Sequence, residues 1–419
     1  MKIGILTFHS QLNYGGVLQC WALQTALEKM GHEVVVIDRW LTQDNLPLER
    51  GYLRKRKKWR LRFWLRALLG LGDMRFWRRV CRTKRFIREK LHLSPYHFCD
   101  WKDAPHDLGV DMIVVGSDQV WHCGDFGDPR PYLLEGAPNV PAIAYAASFG
   151  FPKIPDTLGV CDGIDSNLPA EPVYRKGLAR FRQIGCREEE GVEICNLLGF
   201  RATHVADPTI LLSTAAWARM AECRIATRRR TPPRRIVCYI LGDSLNSMIP
   251  VLKSFAKRHR VRIDVLVRDW ERHDDILPLP RSMRALRKWA GRLLRRMRRV
   301  QIRIDAGPME FLQMHAKADA IVTDSFHSLV FSSLFGKNIR FLAPTTDTRR
   351  AMFGRIADFV EHADGPLVSA TLGDALKSLA NGTHVGVRSE YLESSRSKSI
   401  RFLQEVLPCY FPSLSPSTT

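Results

Sequence analysis

The sequence predicts an α/β protein with two Rossmann-like domains that face each other across a cleft. Apolar segments of strand length alternate with helical patterns along the chain, which is typical of parallel sheets. A length of 419 residues is long for a single hydrophobic core, so we expect two domains. Two strongly basic segments with amphipathic helical patterns interrupt the alternation, and we expect them to be insertions.

The expected division of the chain follows from the strand candidates and from the stretch "ATRRRTPPRR", which reads as a linker. We expect a C-terminal helix after the second domain, with a Pro- and Ser-rich tail that frays. The expected bounds are 1–215 and 234–385 for the domains, about 50–90 and 281–303 for the basic insertions, and 386–419 for the helix and tail.

The first domain begins with a strand, a helix and a second strand. Lys2–Phe8 is a strand candidate, the helical pattern "VLQCWALQTALEKMG" ends at Gly31, and Glu33–Asp38 is again apolar. Glycine at the end of a helical pattern is a common C-cap, so this stretch predicts a βαβ unit. Further strands are expected in "DMIVVGSDQVW", "PAIAYAASFG", "FRQIGCREEEG" and "THVADPTILL".

The second domain repeats this alternation. "RRIVCYILGD" and "RIDVLVRD" read as strands, and "MEFLQMHAKADAIVTDSFHSLVFSSLFGKNIRFLA" reads as helix, strand, helix and strand. Within it, "IVTDSFHSLV" joins a buried strand to a helix through an acid, a hydroxyl and an imidazole. This junction is either a capped helix start or an active site at the carboxyl edge of a sheet.

The net charge of +21 is concentrated in the two insertions. Residues 50–90 hold 17 Lys and Arg against two acids, residues 281–303 hold ten and no acid, and the rest of the chain sums to −4. Basic amphipathic helices can lie on an anionic membrane, bind nucleic acid, or be solvated outer faces of packed helices. We favour the membrane surface, and no nucleic-acid-binding motif accompanies the charge.

Several classes are excluded or disfavoured by the sequence. No run of about 18 uncharged apolar residues occurs, so no membrane-spanning helix is expected. The amino terminus "MKIGILTF" is a strand pattern rather than a signal peptide, which places the protein in the cytoplasm. The ten cysteines are scattered without zinc-ligand spacing, so we expect reduced thiols and no metal site.

Polar turns at the carboxyl ends of strands are the candidate site, because ligands of open α/β sheets bind there. Asn13, Tyr14 and Gly15 precede a helix, and glycine there lets backbone amides approach an anion or a sugar closely. Asp118 and Gln119 directly follow a strand, where they can hold sugar hydroxyls or cap the next turn. A plain turn is the alternative interpretation for both stretches.

Arg187 and His327 are two further candidate site residues, and each follows an apolar segment. Arg187 can grip a carboxylate or phosphate bidentately, or it can pair with a nearby acid such as Asp207. His327 lies at a helix start, where the helix dipole attracts anions, and Ser325 precedes it. A lone histidine is more often structural than catalytic, so neither residue decides the function by itself.

Taken together and in this order, the segments resemble the polysaccharide pyruvyl transferase family. The resemblance spans about residues 2–360 without the basic insertions. It implies a two-domain fold similar to that of B-type glycosyltransferases. It also implies transfer of the enolpyruvyl unit of phosphoenolpyruvate onto sugar hydroxyls, with release of phosphate and without a metal or redox cofactor. The matching blocks are "MKIGILTFHSQLNYGGVLQCWALQTALEKMGHEVVVID", "IVVGSDQVW", "REEEG", "ADPTILLS" and "GPMEFLQMHAKADAIVTDSFHSLVFSSLFGK".

The resemblance also implies roles for individual residues. His327 matches a histidine that resembles a general acid, and Arg187 matches a substrate-binding arginine. The residues expected to face the acceptor sugar are Asn13, Tyr14, Gly15, Asp118 and Gln119.

The chain departs from the family pattern near the histidine. Some branches place an arginine two residues before it, where this chain has Ser325. We expect Ser325 to lie beside the phosphate of phosphoenolpyruvate and another cation to replace the missing arginine. The candidates for that cation are Arg355 and, as second choice, Lys337.

Acceptors in such pathways are often lipid-linked oligosaccharides at the cytoplasmic membrane face. The resemblance therefore predicts that the basic insertions dock on anionic lipid, peripherally on the inner face. One alternative is a B-type glycosyltransferase that uses a nucleotide sugar, although the second domain offers no clear ribose-binding acid. The other is a non-catalytic relative that binds membrane or nucleic acid.

Overall fold

Two parallel sheets and one small antiparallel hairpin organise the chain. The computed structural model describes residues 1–40, 73–123, 128–161, 164–226, 233–242, 245–267, 299–343 and 353–407. The two most basic amphipathic stretches of the predicted insertions, 55–68 and 283–297, lie outside the described residues.

The first sheet contains seven strands, and its central strands are buried on both faces. In chain order, the strands of this sheet and of the hairpin are β1 Lys2–Leu6, β2 Glu33–Arg39, β3 Leu93–Phe98, β4 Met112–Val115, β5 Ala142–Ala147, β6 Thr157–Cys161, β7 Ile164–Pro169, β8 Phe181–Cys186 and β9 Thr203–His204. Their order across the sheet is β3-β2-β1-β4-β5-β8-β9, and β6 and β7 form the separate hairpin. The sequence analysis did not predict this hairpin.

The second sheet contains six parallel strands in the order β12-β11-β10-β13-β14-β15. Runs of Val, Ile and Cys without alternation form its centre, as expected for strands covered by helices on both faces. The strands are β10 Arg235–Tyr239, β11 Arg262–Leu266, β12 Val300–Arg303, β13 Ala320–Thr323, β14 Asn338–Leu342 and β15 Val368–Ser369.

Helices connect the strands and cover both sheets, so the predicted α/β class with two Rossmann-like sheets is confirmed. They are α1 Tyr14–Lys29, α2 Asp73–Lys90, α3 Ala170–Leu178, α4 Glu189–Leu197, α5 Pro208–Leu211, α6 Thr214–Met220, α7 Leu245–His259, α8 Pro308–Lys317, α9 Phe326–Leu334, α10 Ala357–Glu361, α11 Leu372–Ala380 and α12 Ser389–Val406. No described helix is long and apolar enough to cross a membrane.

Each sheet has one point at which the strand order reverses. In the first sheet it lies between β1 and β4, and in the second between β10 and β13. Loops diverge to opposite faces of the sheet at such a point and leave a crevice at the carboxyl edge. The turns after β1, β4 and β13 carry most of the predicted site residues, so the fold itself places them around two crevices.

A single apolar cluster joins the two sheets. It contains residues of α1 together with residues of α6, α8 and α9. Tyr14 stacks on Phe311 with ring centroids 4.7 Å apart, and Trp217 contacts both Trp21 and Phe331. The interface between the domains is therefore an extension of the hydrophobic core.

Helix α2, the described end of the first basic insertion, packs across this interface. Arg79 is 1% exposed and donates to the carbonyls of Leu12 (2.7 Å) and Val267 (2.6 Å), which belong to different domains. Arg82 reaches the carbonyl of Asp305, 2.6 Å away. The inward arginines of this helix thus serve contacts between the domains, while Arg78, Arg85 and Arg88 are exposed and docking on a membrane stays a prediction.

The C-terminal helix returns to the first domain. Phe402 and Leu403 of α12 lie in the apolar cluster under the first sheet. The Ser399 hydroxyl accepts a bond from the backbone N–H of Ala206 at 2.8 Å, and Arg396 donates to the Ile210 carbonyl at 2.7 Å. The chain thus crosses between the domains a second time.

Candidate active site

The candidate site lies where the carboxyl edges of the two sheets meet. The loop after β1 leads to α1, which begins at Tyr14 with Asn13 as its N-cap, and the loop after β4 presents Asp118. From the second domain, β13 ends just before α9, whose first turn carries His327. Residues far apart in sequence therefore converge because parallel strands end at the same edge.

His327 is held against the start of α1. A Cβ atom built on Gly15 would lie only 2.0 Å from its Nδ1, so the ring occupies the space that a side chain at position 15 would fill. His327 is 9% exposed, and its Nε2 lies 3.5 Å from Oδ2 of Asp207. The predicted Gly15 thus serves close packing of the two helix starts.

Arg187, the first residue after β8, is surrounded by carboxylates. Its Nε donates to Glu188 at 3.0 Å, and its Nη1 lies 3.5 Å from Asp118 and 3.4 Å from Asp207. Burial opposes the charged guanidinium, yet the three carboxylates raise its pKa above its ordinary value. The predicted pairing of Arg187 with nearby acids is confirmed, and its binding of a ligand carboxylate or phosphate stays a prediction.

Asp207 connects these groups and was not predicted as a site residue. Its Oδ1 accepts bonds from the backbone N–H (3.0 Å) and the hydroxyl (2.6 Å) of Thr209. Its Oδ2 faces His327, Arg187 and the hydroxyl of Ser117. Burial acts to raise the pKa of Asp207, but His327, Arg187 and the Thr209 bonds hold it well below its usual range.

Several buried polar atoms of the site have no hydrogen-bond partner in the described part of the chain. Buried polar groups are nearly always satisfied in native proteins, so a cluster of unsatisfied ones indicates a ligand position. Asp118 and Arg187 are in direct contact, and Asp207 joins them to His327. The atoms are Asp118 Oδ2, Gln119 Nε2 and Arg187 Nη2; His327 Nε2 makes no hydrogen bond of good geometry but faces Asp207 Oδ2 at 3.5 Å.

The start of α9 differs from the expected cap. Asp324 accepts bonds from the backbone N–H groups of Leu241 (2.6 Å) and Gly242 (2.8 Å), so it ties the turn after β10 to the turn after β13. Ser325 is the N-cap residue, but its hydroxyl makes no capping bond. The Ser325 side chain therefore does not cap the helix, and the first-turn amides of α9 can meet another acceptor.

Among the predicted acceptor-facing residues, two are used internally. The amide oxygen of Asn13 accepts a bond from the N–H of Gly15 at 3.1 Å, which caps α1. The Tyr14 hydroxyl donates to the Ala306 carbonyl at 2.9 Å, and its ring is 2% exposed. For Tyr14 the structure corrects the expected position, because the residue belongs to the interface between the domains and does not line the open cleft.

The two proposed replacement cations have different positions. Lys337 precedes β14 and therefore lies at the amino edge, where its ammonium group donates to the carbonyls of Ala226 and Ala316, each at 2.7 Å. It is not brought to the site. Arg355 lies in the 3-10 turn Phe353–Ile356, and its side chain is outside what the structure describes.

Comparison with solved structures supports the two-domain arrangement. The UDP-GlcNAc 2-epimerase of Methanocaldococcus jannaschii, solved with UDP-GlcNAc and UDP, is 13% identical with a TM-score of 0.51, over 97% of this chain and 100% of that chain. Another structure of that enzyme gives 12% identity and a TM-score of 0.50, with the same coverage. At these identities the likeness concerns the fold, which is that of B-type glycosyltransferases, as predicted.

Comparison by sequence identifies the family to which the chain belongs. Among proteins with curated functions, none matches this chain. The family model described as polysaccharide pyruvyl transferase matches residues 13–345, which include the α1 start, Asp118, Arg187, Asp207 and His327. The chain belongs to the polysaccharide pyruvyl transferase family.

Proposed function

We propose that the protein transfers the enolpyruvyl unit of phosphoenolpyruvate to hydroxyls of a saccharide, forming a pyruvate ketal and releasing phosphate. The observation that carries the proposal is the contact network of His327, Asp207 and Arg187 beside unsatisfied polar atoms at the junction of the two sheets. A proton donor and a cation therefore lie side by side. Transfer from an enol phosphate needs both, because its methylene carbon must receive a proton and its anionic groups need a positive charge.

Phosphoenolpyruvate carries two anionic groups, and two features of the site suit them. The unpartnered Nη2 of Arg187 can donate to the carboxylate or the phosphate. The first turn of α9 presents backbone N–H groups beside Ser325, and the helix dipole favours an anion there. We assign the phosphate to this helix start and one oxyanion contact to Arg187.

His327 is the proposed general acid. It gives a proton to the methylene carbon of the donor, and the adjacent carbon becomes an oxocarbenium-like centre. An acceptor hydroxyl oxygen attacks that centre, and the proton it loses returns to His327. The C–O bond to phosphate then breaks, a second acceptor hydroxyl attacks the oxocarbenium carbon that results, and its proton leaves with the phosphate. The buried carboxylate of Asp207 stabilises the protonated imidazole, and the free Oδ2 of Asp118 can accept a bond from the acceptor hydroxyl. This chemistry needs neither a metal nor a redox cofactor.

Phosphate release from phosphoenolpyruvate in the presence of candidate saccharides tests the proposal. His327→Asn keeps a side chain of similar size but cannot deliver the proton, and we expect turnover to fall by about 10²–10⁴-fold. His92→Asn is the matched control, since the His92 side chain is 66% exposed and remote from the cleft. Undiminished turnover by His327→Asn would remove the mechanism, and turnover only with a nucleotide sugar would favour a glycosyltransferase.

We further propose that the acceptor is presented at a membrane surface that the basic segments recognise. Because α2 packs between the domains, the segment to delete is 50–72 and not the whole of 50–90. Co-sedimentation with vesicles containing anionic lipid should fall on this deletion, and it should fall with rising salt in the full chain. Equal sedimentation of both proteins would show that the segment does not serve as the anchor.

A further inference from the structure

Arg39 is a buried arginine at the carboxyl edge of the first sheet. It is the last residue of β2, pairs with Phe98 of β3, and is 4% exposed. Its guanidinium carbon lies 4.8 Å from the ring centroid of Tyr132, whose ring also contacts Phe8 with centroids 5.0 Å apart. The surroundings of this charge are therefore largely aromatic and apolar.

The polar side of this guanidinium is unsatisfied. Its Nε and Nη1 are buried and have no hydrogen-bond partner, and no carboxylate of the described residues lies within ion-pair distance. The acid next to it in sequence, Asp38, points to the opposite face of the strand. Oδ1 of Asp38 is already used by Nε2 of His9 (2.8 Å) and Nε1 of Trp40 (2.6 Å).

The other buried arginines of the described chain show how such a charge is normally satisfied. Arg79 donates to two backbone carbonyls, and Arg187 contacts three carboxylates. Arg340 uses its Nε, Nη1 and Nη2 on Ser378, Asn338 and two carbonyls. Arg39 differs from all three, because among the described residues its guanidinium makes no hydrogen bond or ion pair; the ring of Tyr132 covers one face of it and the Cys99 thiol lies near it.

A buried guanidinium without an anion is costly, since the charge has lost its water and gained no partner. Its planar fork of N–H donors matches the two oxygens of a phosphate or carboxylate. The ring of Tyr132 covers one face of that plane and leaves the donor edge for a ligand. Within the described part of the chain the guanidinium thus lacks a partner, and an oxyanion would supply one.

We propose that Arg39 binds an anionic group of the saccharide acceptor, either a phosphate or diphosphate or the carboxylate of an acidic sugar. The assignment to the acceptor rests on the proposed function; the anion site does not. Ends of β2 and β4 are two strand spacings apart, about 10 Å. One or two sugar rings span that distance, so an acceptor hydroxyl can lie at Asp118 while its charged group lies at Arg39.

Titration calorimetry with inorganic pyrophosphate tests this site. Excess phosphoenolpyruvate is present to fill the donor position, and its own affinity is measured separately. We expect Arg39→Gln to weaken pyrophosphate binding at least tenfold and to leave phosphoenolpyruvate affinity unchanged. Arg182→Gln removes the same charge from an exposed position of β8 and should stay within twofold of wild type.

A second arm distinguishes the source of the anion. The same three proteins are titrated with the methyl glycoside of glucuronic acid. Arg39-dependent binding of this probe alone identifies a carboxylate, and Arg39-dependent binding of pyrophosphate alone identifies a phosphate or diphosphate. If Arg39→Gln binds both probes as wild type does, the proposal is overturned.

Further measurements distinguish loss of an anion site from a structural role of Arg39, from misfolding of the variant and from failure of the proposed function. A purely structural arginine would lower the melting temperature of the free protein when replaced, whereas we expect Arg39→Gln to leave it unchanged or raise it. Should that variant not fold, Arg39→Lys retains the charge without the fork, and we expect at least threefold weaker binding. If phosphoenolpyruvate does not bind wild type, the proposed function fails while the pyrophosphate comparison still decides the Arg39 site.

Discussion

At the scale of single residues, Asp207 holds the charges of the site together. It lies between the imidazole of His327, the guanidinium of Arg187 and the hydroxyl of Ser117, with its other oxygen fixed by Thr209. A carboxylate in this position orients the two groups that we propose to contact substrate, without needing to touch substrate itself. We therefore regard it as a positioning residue.

Asp207→Asn keeps the shape but removes the negative charge. We expect the free energy of unfolding to fall by about 3–5 kcal/mol, because the substitution removes a buried charge partner that His327 and Arg187 share. Urea unfolding at pH 7 measures this, with the exposed Asp156→Asn as the control. A loss below about 1 kcal/mol would contradict the assigned role.

The pH dependence of that loss has a defined sign. The folded state holds the pKa of Asp207 below its usual range, so its stabilisation is fully present above the unfolded value of about 3.9. It is lost as the pH falls through the lower folded value. The difference in urea midpoint between wild type and Asp207→Asn should therefore be widest near pH 6–7 and shrink towards pH 3.

Lys337 differs from Asp207 because its buried charge destabilises the folded state at neutral pH. Burial lowers its pKa from 10.5 to about 8, so between these values the unfolded chain binds more protons than the folded one. The stability of wild type relative to Lys337→Met should rise by about 1–3 kcal/mol from pH 7.5 to pH 10. Denaturant unfolding at both pH values measures this rise; a constant difference would contradict it. The KM for phosphoenolpyruvate should not change at pH 7.5.

At the scale of secondary-structure elements, the site depends on how closely the starts of α1 and α9 approach. Gly15 in the first turn of α1 leaves the space that the His327 ring fills. Asp324 fixes the turn before α9 to the turn after β10. The imidazole is thus positioned by backbone contacts from both domains.

Gly15→Ala should displace the His327 ring, because the added Cβ would lie 2.0 Å from Nδ1. We expect turnover to fall at least about tenfold and stability to fall by about 1–3 kcal/mol. Gly373→Ala is the control, since its nearest neighbour is 3.6 Å away in α11 and alanine favours a helix. Equal turnover of both variants would show that the close contact does not position the histidine.

Strand patterns and motif order predicted much at this scale, and the failures have physical causes. The apolar runs of β1, β4 and β13 and the polar turns after them are local features, so the sequence predicts them. The inward position of Tyr14 depends on Phe311 and Ala306, almost 300 residues away. Asp207 in "ADPTILL" was the missed signal, since an acid before proline at a strand end can also be a plain N-cap.

At the scale of the whole molecule, α2 and α12 make the two domains one unit. The helical pattern over residues 55–68 and the basic composition of 50–90 predicted an amphipathic insertion, but they could not reveal that the carbonyls of Leu12 and Val267 would satisfy Arg79 in α2. An arginine on a membrane-facing helix and one buried between domains look alike in sequence. The partner surface decides which it is.

Arg79→Met should uncouple the loop before α1 from the second domain. We expect a loss of about 3 kcal/mol in the free energy of unfolding, since two buried charge-assisted bonds and the contact with the Tyr14 ring disappear. Differential scanning calorimetry measures it, with the exposed Arg78→Met on the same helix as the control. Equal melting temperatures of both variants would contradict the assigned bridging role.

The apolar cluster that continues from one domain into the other has a consequence for substrate traffic. Swinging the domains apart would bring Trp217, Phe311 and Phe331 into water, and an interface of this kind resists such a motion. The two domains then keep a fixed spacing and do not open and close around a substrate. If the acceptor is a saccharide chain, as proposed above, one unit of it has to reach Asp118 and His327 between domains that keep their spacing, while the rest of the chain stays outside.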